Sequence, residues 1–192
     1  MDLDANQWRD LIRRDEYAAA EQLIELYYER IYAFLRRLAG SDADAADLTQ
    51  RTFGRIQQSL PAFAGRSTIS SWIHGIAYHT YLDWRRGNHR TEARSDEWWD
   101  ACPSGESSPD ELVAQADLAK ALYAAVEQLE PELRDSVHLH YYQGLTLQET
   151  ADAMELAGST VKYRLRQALV VLQKKLAARP ADSSLSRNLK SL

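Results

Sequence analysis

The sequence predicts an all-α chain: two small helical domains joined by a flexible acidic linker, the second a helix-turn-helix domain. Apolar residues recur near period 3.6 with no convincing period-2 run. Helix-opening and helix-closing residues bracket most of the periodic stretches. The periodicity lapses once, in the middle of the 192 residues. These observations place a first domain at 1–90, a linker at 91–109, a second domain at 110–179 and a tail at 180–192.

The elements follow in order. Asp4 and Gln7 can form a capping box for a short first helix with Trp8, Leu11 and Ile12 on one face. A long stripe comes next: Tyr17, Ala20, Ile24, Tyr27, Tyr28, Ile31, Phe34, Leu35 and Leu38, closed by Gly40. Ser41 or Asp42 caps a third helix from about Ala43 to Leu60, which Pro61 stops. A fourth runs from about Ile69 to Arg86, its stripe Ile69, Ile73, Ile76, Thr80 and Trp84. Residues 88–108 lose periodicity, and helix resumes at Ser108-Pro109-Asp110-Glu111. It continues to about Leu129, and Pro131 starts another that ends before Gly144. Thr146 and Glu149 form a capping box for a helix of barely two turns; after a break at Glu155 to Gly158 the last helix runs to about Ala178.

Composition narrows the class. A 45% hydrophobic content supports a packed core, whereas the single Cys102 allows neither an internal disulfide nor a four-cysteine zinc site. No apolar run approaches the roughly 20 residues that span a membrane, and the acidic start is unlike a secretory signal. A cytoplasmic protein without membrane insertion is the expectation. The net charge of −5 hides segregation: residues 159–179 carry Lys162, Arg164, Arg166, Lys174, Lys175 and Arg179 with no acid. Arg85, Arg86, Arg90 and Arg94 make a second basic cluster before the acidic stretch at 101–116.

The stretch Leu145 to Leu169 has the layout of a helix-turn-helix. Val161, Leu165, Ala168, Leu169, Leu172 and Leu176 form the buried stripe of its second helix, which leaves Lys162, Tyr163, Arg164, Arg166 and Gln167 outward. The first turns of such a helix reach base edges in the major groove. Ser159 and Thr160 place hydroxyls and free N–H groups where a phosphate docks. Lys174, Lys175 and Arg179 are read as complements to the helix dipole.

These residues carry a resemblance. Asp44-Ala45-Ala46-Asp47-Leu48-Thr49-Gln50-Arg51-Thr52-Phe53 resembles the core-polymerase-binding motif of bacterial extracytoplasmic-function (ECF) sigma factors, the smallest class of the RNA polymerase sigma-70 family. Ser71-Trp72-Ile73-His74-Gly75-Ile76-Ala77-Tyr78-His79-Thr80-Tyr81-Leu82-Asp83 is similar to their promoter-melting helix, and Ser159-Thr160-Val161-Lys162-Tyr163-Arg164-Leu165 to their recognition helix. The match covers about residues 15–90 and 117–177, opening its second part at Leu129-Glu130-Pro131-Glu132-Leu133-Arg134 and Gly144-Leu145-Thr146. The resemblance implies that Asp47, Gln50, Arg51 and Phe53 meet the core of bacterial RNA polymerase. It implies a minus-ten DNA surface of Arg66, Ser67, Thr68, His74, Tyr78, His79, Tyr81, Arg85 and Arg86. The aromatics interleaved with Arg suit stacking of unpaired bases; Ser67 and Thr68 equally suit plain helix caps. The minus-thirty-five element falls to Ser159, Thr160, Lys162, Tyr163, Arg164, Arg166 and Gln167.

Three positions depart from the family pattern. Tyr78-His79 stands where Arg-Asn is usual, and Glu155 replaces the usual turn glycine. The implied partners are core polymerase, promoter DNA and an anti-sigma factor. The acidic linker, with Trp98 and Trp99, would thread the polymerase channel. No cofactor or metal is implied, and the protein is not expected to be an enzyme: His138 and His140 lie about 200° apart on a helix, a poor chelate, and no phosphate loop or nucleophile elbow occurs. The alternative is a free-standing helix-turn-helix regulator that acts without core polymerase.

Overall fold

The structure, a computed structural model, describes residues 3–87 and 109–177. The expected linker and tail, with Arg90, Arg94, Trp98, Trp99 and Cys102, lie outside the described residues, as does the capping role expected of Ser108. Eight α-helices run through the described residues: α1 (Ala5–Arg14), α2 (Glu16–Ala39), α3 (Asp42–Ser59), α4 (Ile69–Gly87), α5 (Pro109–Glu127), α6 (Pro131–Val137), α7 (Leu147–Met154) and α8 (Gly158–Ala177). A 3-10 turn, Leu60–Ala62, follows α3 at Pro61, and a π-helical turn, His138–Tyr142, follows α6.

Local chemistry sets most of these ends. The Asp4 side chain accepts from the backbone of Asn6 and Gln7 while the Gln7 side chain returns to the Asp4 N–H, so the expected capping box starts α1. Gly40 ends α2 in the left-handed region (φ 82°), where only glycine sits without steric cost. The Ser41 hydroxyl then caps α3 at the Asp44 N–H. Thr146 and Glu149 form the second capping box, as their spacing predicts.

The chain divides into two compact units. One comprises Met1–Ser95 together with His138–Val161, the other Asp96–Val137 with Lys162–Leu192. Helix α7 falls in the same unit as α1–α4.

In the first unit one core holds Trp8, Leu23, Ile31, Phe34, Leu35, Leu38, Leu48, Leu60, Ile73 and Tyr81, and Leu139, Leu145, Ala153 and Met154 join it. The C-terminal half of the α2 stripe is buried as expected. Its N-terminal half is not: Ala19 and Leu23 face the core, whereas Tyr17 is 79% and Ile24 47% exposed. Alternating apolar residues around 17–28 support two faces at period 3.6, and tertiary packing selected the one containing Ala19 and Leu23. Helix α4 is buried on more sides than its stripe predicts, with Ser71, His74, Ala77, Tyr78 and Tyr81 inside as well as Ile69 and Ile73.

In the second unit Ala125, Val126 and Leu129 are buried near the end of α5, and Leu165, Ala168 and Leu172 line the inner side of α8. Leu169, expected in that stripe, is 37% exposed. Arg164 pairs with Glu132 at 2.6 Å, and the Lys175 ammonium donates to the Gln128 side chain at 2.8 Å.

Candidate polymerase and nucleic-acid interfaces

Three surfaces collect the residues singled out by sequence. The first lies on α3, where Leu48, Thr49, Thr52 and Ile56 turn inward. Thr49 and Thr52 hide their hydroxyls by donating to the carbonyls four residues back. Gln50 and Arg51 face solvent and Asp47 is half-buried. Arg51 reaches Asp47 at 2.7 Å, one helical turn away, so the two charges partly cancel. Phe53 stacks on Tyr28 of α2 with ring centroids 5.7 Å apart, which joins an apolar step to the polar edge.

The second surface is α4 with the loop before it. Arg66, Thr68 and Arg86 are exposed, while Ser67, His79 and Arg85 are half-buried. Thr68 is a true cap, its Oγ1 accepting from the Ser71 N–H at 3.2 Å, and it also donates to Glu149 Oε1 at 2.7 Å. The Arg85 guanidinium lies 5.4 Å from the Tyr81 ring centre. Three residues expected on this surface are buried in the core of the first unit. His74 is 0%, Tyr78 6% and Tyr81 2% exposed. The His74 Nδ1 faces the Ser70 carbonyl at 2.7 Å and Nε2 lies 3.4 Å from the Gln143 side chain. Burial therefore pushes the imidazole down to about 4 against the opposing pull of the Ser70 carbonyl. The reason is geometric: positions 74, 78 and 81 lie within about 60° of each other on a helix, and that side packs inward.

A groove of about 510 Å³ runs beside α4, lined by residues that include Arg55, Ser67, Ser71, His79, Asp152 and Glu155. Arg55 was not anticipated. Its guanidinium donates to Thr80 Oγ1 at 3.2 Å and to Asp83 at 3.0 Å, tying α3 to α4. No local sequence signal marks that pairing, because the partners are 25 and 28 residues away. Glu149 is also richer than its cap role. Burial acts to raise its carboxyl, yet hydrogen bonds from Thr68 and Thr146 outweigh it and hold the group below the usual carboxylate range.

The third surface is the start of α8. Glu155 sits at φ 54°, ψ 43°, in the left-handed region, and is the only non-glycine residue with positive φ among the described residues. Its N–H donates to Asp152 O and the Leu156 N–H to Ala151 O, the paired bonds of a Schellman ending. The turn therefore keeps glycine geometry without glycine. Beyond it, Ser159, Lys162, Tyr163, Arg166 and Gln167 are exposed and Thr160 half-buried, with Tyr163 at 62%. Arg164 differs from expectation: its side chain is 17% exposed and held by Glu132. Among the described residues no group of His, Cys, Asp and Glu could hold a metal, and no helix is long and apolar enough to cross a membrane.

The chain is similar to known proteins over most of its length. Residues 23–91 match the family description Sigma-70 region 2, and residues 119–172 match Sigma-70, region 4. The chain is 30% identical over 168 residues to the ECF RNA polymerase sigma factor SigE of Mycolicibacterium smegmatis, covering 86% of this chain and 65% of that protein. It is 31% identical over 156 residues to the ECF RNA polymerase sigma factor SigX of Bacillus subtilis, covering 79% and 80%. Among solved structures, the sigma factor RpoE of Bartonella quintana, in complex with the anti-sigma factor NepR, shares the fold. The TM-score is 0.63 at 20% identity, over 82% of this chain and 96% of that one. With regions 2 and 4 in order on the helices that sequence had singled out, the chain belongs to the extracytoplasmic-function sigma factors of the RNA polymerase sigma-70 family.

Proposed function

We propose that this chain directs core RNA polymerase to specific promoters by holding two DNA elements at once. The observation that carries the reading is the order of the two matched regions, each on a helical segment with an exposed polar or basic face. Asp47, Gln50, Arg51 and Phe53 dock on the polymerase. The Arg51 partner of Asp47 exchanges for a basic group on the enzyme, a change of small cost because both side chains are about half exposed.

Arg66, Ser67, Thr68, His79, Arg85 and Arg86 form the minus-ten surface. Of the buried trio, Tyr81 supports it from below through its contact with Arg85, and His74 and Tyr78 hold the helix in the core. At the minus-thirty-five element, Ser159 and Thr160 present hydroxyls and N–H groups of the first α8 turn to a phosphate. Arg166 and Gln167 reach base edges, and Lys162 and Tyr163 grip the backbone. Arg164, engaged with Glu132, orients the helix instead of reading a base. The nucleotide chemistry is the polymerase's own; this chain contributes binding and strand separation, in the cytoplasm. An anti-sigma factor is the restraining partner.

The test is holoenzyme footprinting on a promoter recovered from a library. Arg166→Ala should weaken minus-thirty-five protection by about 1–3 kcal/mol and relax preference at one base pair. Protection equal to wild type would remove Arg166 from base reading.

A further inference from the structure

Two arginines share one carboxylate on the seam between α3 and α4. Arg55 Nη1 donates to Thr80 Oγ1 at 3.2 Å and to Asp83 Oδ2 at 3.0 Å. The other oxygen of that carboxylate, Asp83 Oδ1, accepts from Arg86 Nη1 at 3.1 Å. Two guanidiniums around one carboxylate leave the cluster net positive. Arg55 and Asp83 are about half exposed and Arg86 more so, which opens the cluster to solvent. A mere tie between helices would not need this arrangement. Arg55 spends only Nη1 on its partners, and among the described residues its Nε and Nη2 have no acceptor. Those two atoms are the parallel donors with which arginine grips a carboxylate or a phosphate at two points. The anchored Nη1 restricts a long side chain in advance, so less freedom is lost when a ligand arrives. Arg55 also lines the groove beside α4 together with Ser67, Ser71 and His79. Asp152 and Glu155 line that groove too and repel an anion inside it, whereas Asp83 and Arg86 lie outside its lining.

We propose that Arg55 is a phosphate contact for the unwound minus-ten strand, and that Asp83 is the positioning residue that holds Arg55 and Arg86 ready for it. The proposal rests on the promoter reading given above. It routes the strand's backbone along the seam of α3 and α4 instead of over α4 alone. A phosphodiester offers two unesterified oxygens and one negative charge, which match the free fork of Arg55, and Arg86 adds a second cation beside it. Such a contact carries no sequence information, because it is made to the backbone. Its signature is the salt dependence of binding, since each phosphate neutralised on a single strand adds about 0.7 to the slope of log affinity against log salt. An arginine that only ties two helices together leaves that slope unchanged.

The experiment assembles holoenzyme from the full chain and purified bacterial core polymerase. Its affinity for fork-junction DNA with a single-stranded minus-ten element is measured across salt concentrations from about 50 to 200 mM. Arg55→Gln should bind roughly tenfold more weakly. The loss should be equal on templates that differ at one minus-ten base, and the salt slope shallower by about 0.7. Asp83→Asn breaks the same tie between α3 and α4 but keeps both cations. It should lose less affinity than Arg55→Gln and keep a slope at least as steep as wild type. Arg55→Lys keeps the charge without the fork and should keep the wild-type slope at reduced affinity. An Arg55→Gln slope equal to wild type overturns the proposal. So does a loss in Asp83→Asn as large as that in Arg55→Gln, which would reduce Arg55 to a tie between helices. An Arg55→Lys slope as shallow as that expected of Arg55→Gln also overturns it. Wild-type holoenzyme that binds this DNA no better than core polymerase alone overturns the promoter reading, and the proposal with it.

Discussion

Glu155 bears a strain that a single substitution should release. It occupies the C′ position of α7 at φ 54°, where an L-residue with a Cβ is disfavoured by about 1–2 kcal/mol. Glycine removes that cost. Against the gain stands the contact with His79 at 3.5 Å, whose side chains are 35% and 77% exposed, which places it in the range of about 0–1 kcal/mol. Glycine also enlarges the freedom of the unfolded chain, an effect of about 0.5–1 kcal/mol. Glu155→Ala loses the same His79 contact but keeps the strain, so Glu155→Gly should be more stable than Glu155→Ala by roughly 0.5–1 kcal/mol, with both Schellman hydrogen bonds retained. In urea, with a slope near 2 kcal/mol per molar, the Glu155→Gly midpoint should lie about 0.25–0.5 M above that of Glu155→Ala with the slope unchanged. Tryptophan fluorescence reports the transition, since Trp8 and Trp72 belong to or pack on the same core. A Glu155→Gly midpoint equal to or below that of Glu155→Ala at constant slope would show that the turn is not strained at Glu155.

Three further outcomes follow from the same geometry. His74 titrates near 4 in the fold against an ordinary 6.5, because burial disfavours its charged form. The stability this protects is complete above pH 6.5 and is lost as pH falls toward 4, by up to about 3 kcal/mol. His74→Asn should therefore be less stable at neutral pH but show a flatter loss of urea midpoint between pH 6.5 and 4; parallel curves would exclude His74 as the source. Thr146→Ala removes one arm of the capping box and should destabilise by about 1 kcal/mol in thermal melts, and no shift would mean that Glu149 holds α7 alone. Arg164→Ala should lower minus-thirty-five affinity less than Arg166→Ala does, because its guanidinium is held by Glu132; the reverse order in titrations would assign base reading to Arg164.

Local chemistry was legible in the sequence and tertiary choice was not. The caps at Asp4, Ser41 and Thr146, the left-handed Gly40 and the stop at Pro61 all act within four residues, and each determines where a helix begins or ends. The face a helix buries depends on what it meets. Helix α2 offered two apolar faces in its first half, and only packing distinguished Leu23 from Ile24. The same gap separates the readable part of the site from the rest. Lys162, Tyr163, Arg166 and Gln167 were placed outward because Val161, Leu165 and Ala168 fix the inward side of α8. The burial of His74, Tyr78 and Tyr81 was not legible because α4 is covered on several sides, one of them by α7, 78 residues along the chain from Ser71 to Glu149. Polar residues in α4 look like ligands in sequence whether or not the fold buries them. The Tyr78-His79 pair illustrates both outcomes, with Tyr78 inside and His79 at the groove.

The central claim is tested most directly by run-off transcription from a promoter library with purified bacterial core polymerase, in the presence and absence of this protein. The account predicts protein-dependent transcripts whose templates share two upstream elements at fixed spacing. No such transcripts, together with tight footprints by the protein alone on two-fold symmetric half-sites, would contradict it and identify a free-standing helix-turn-helix regulator.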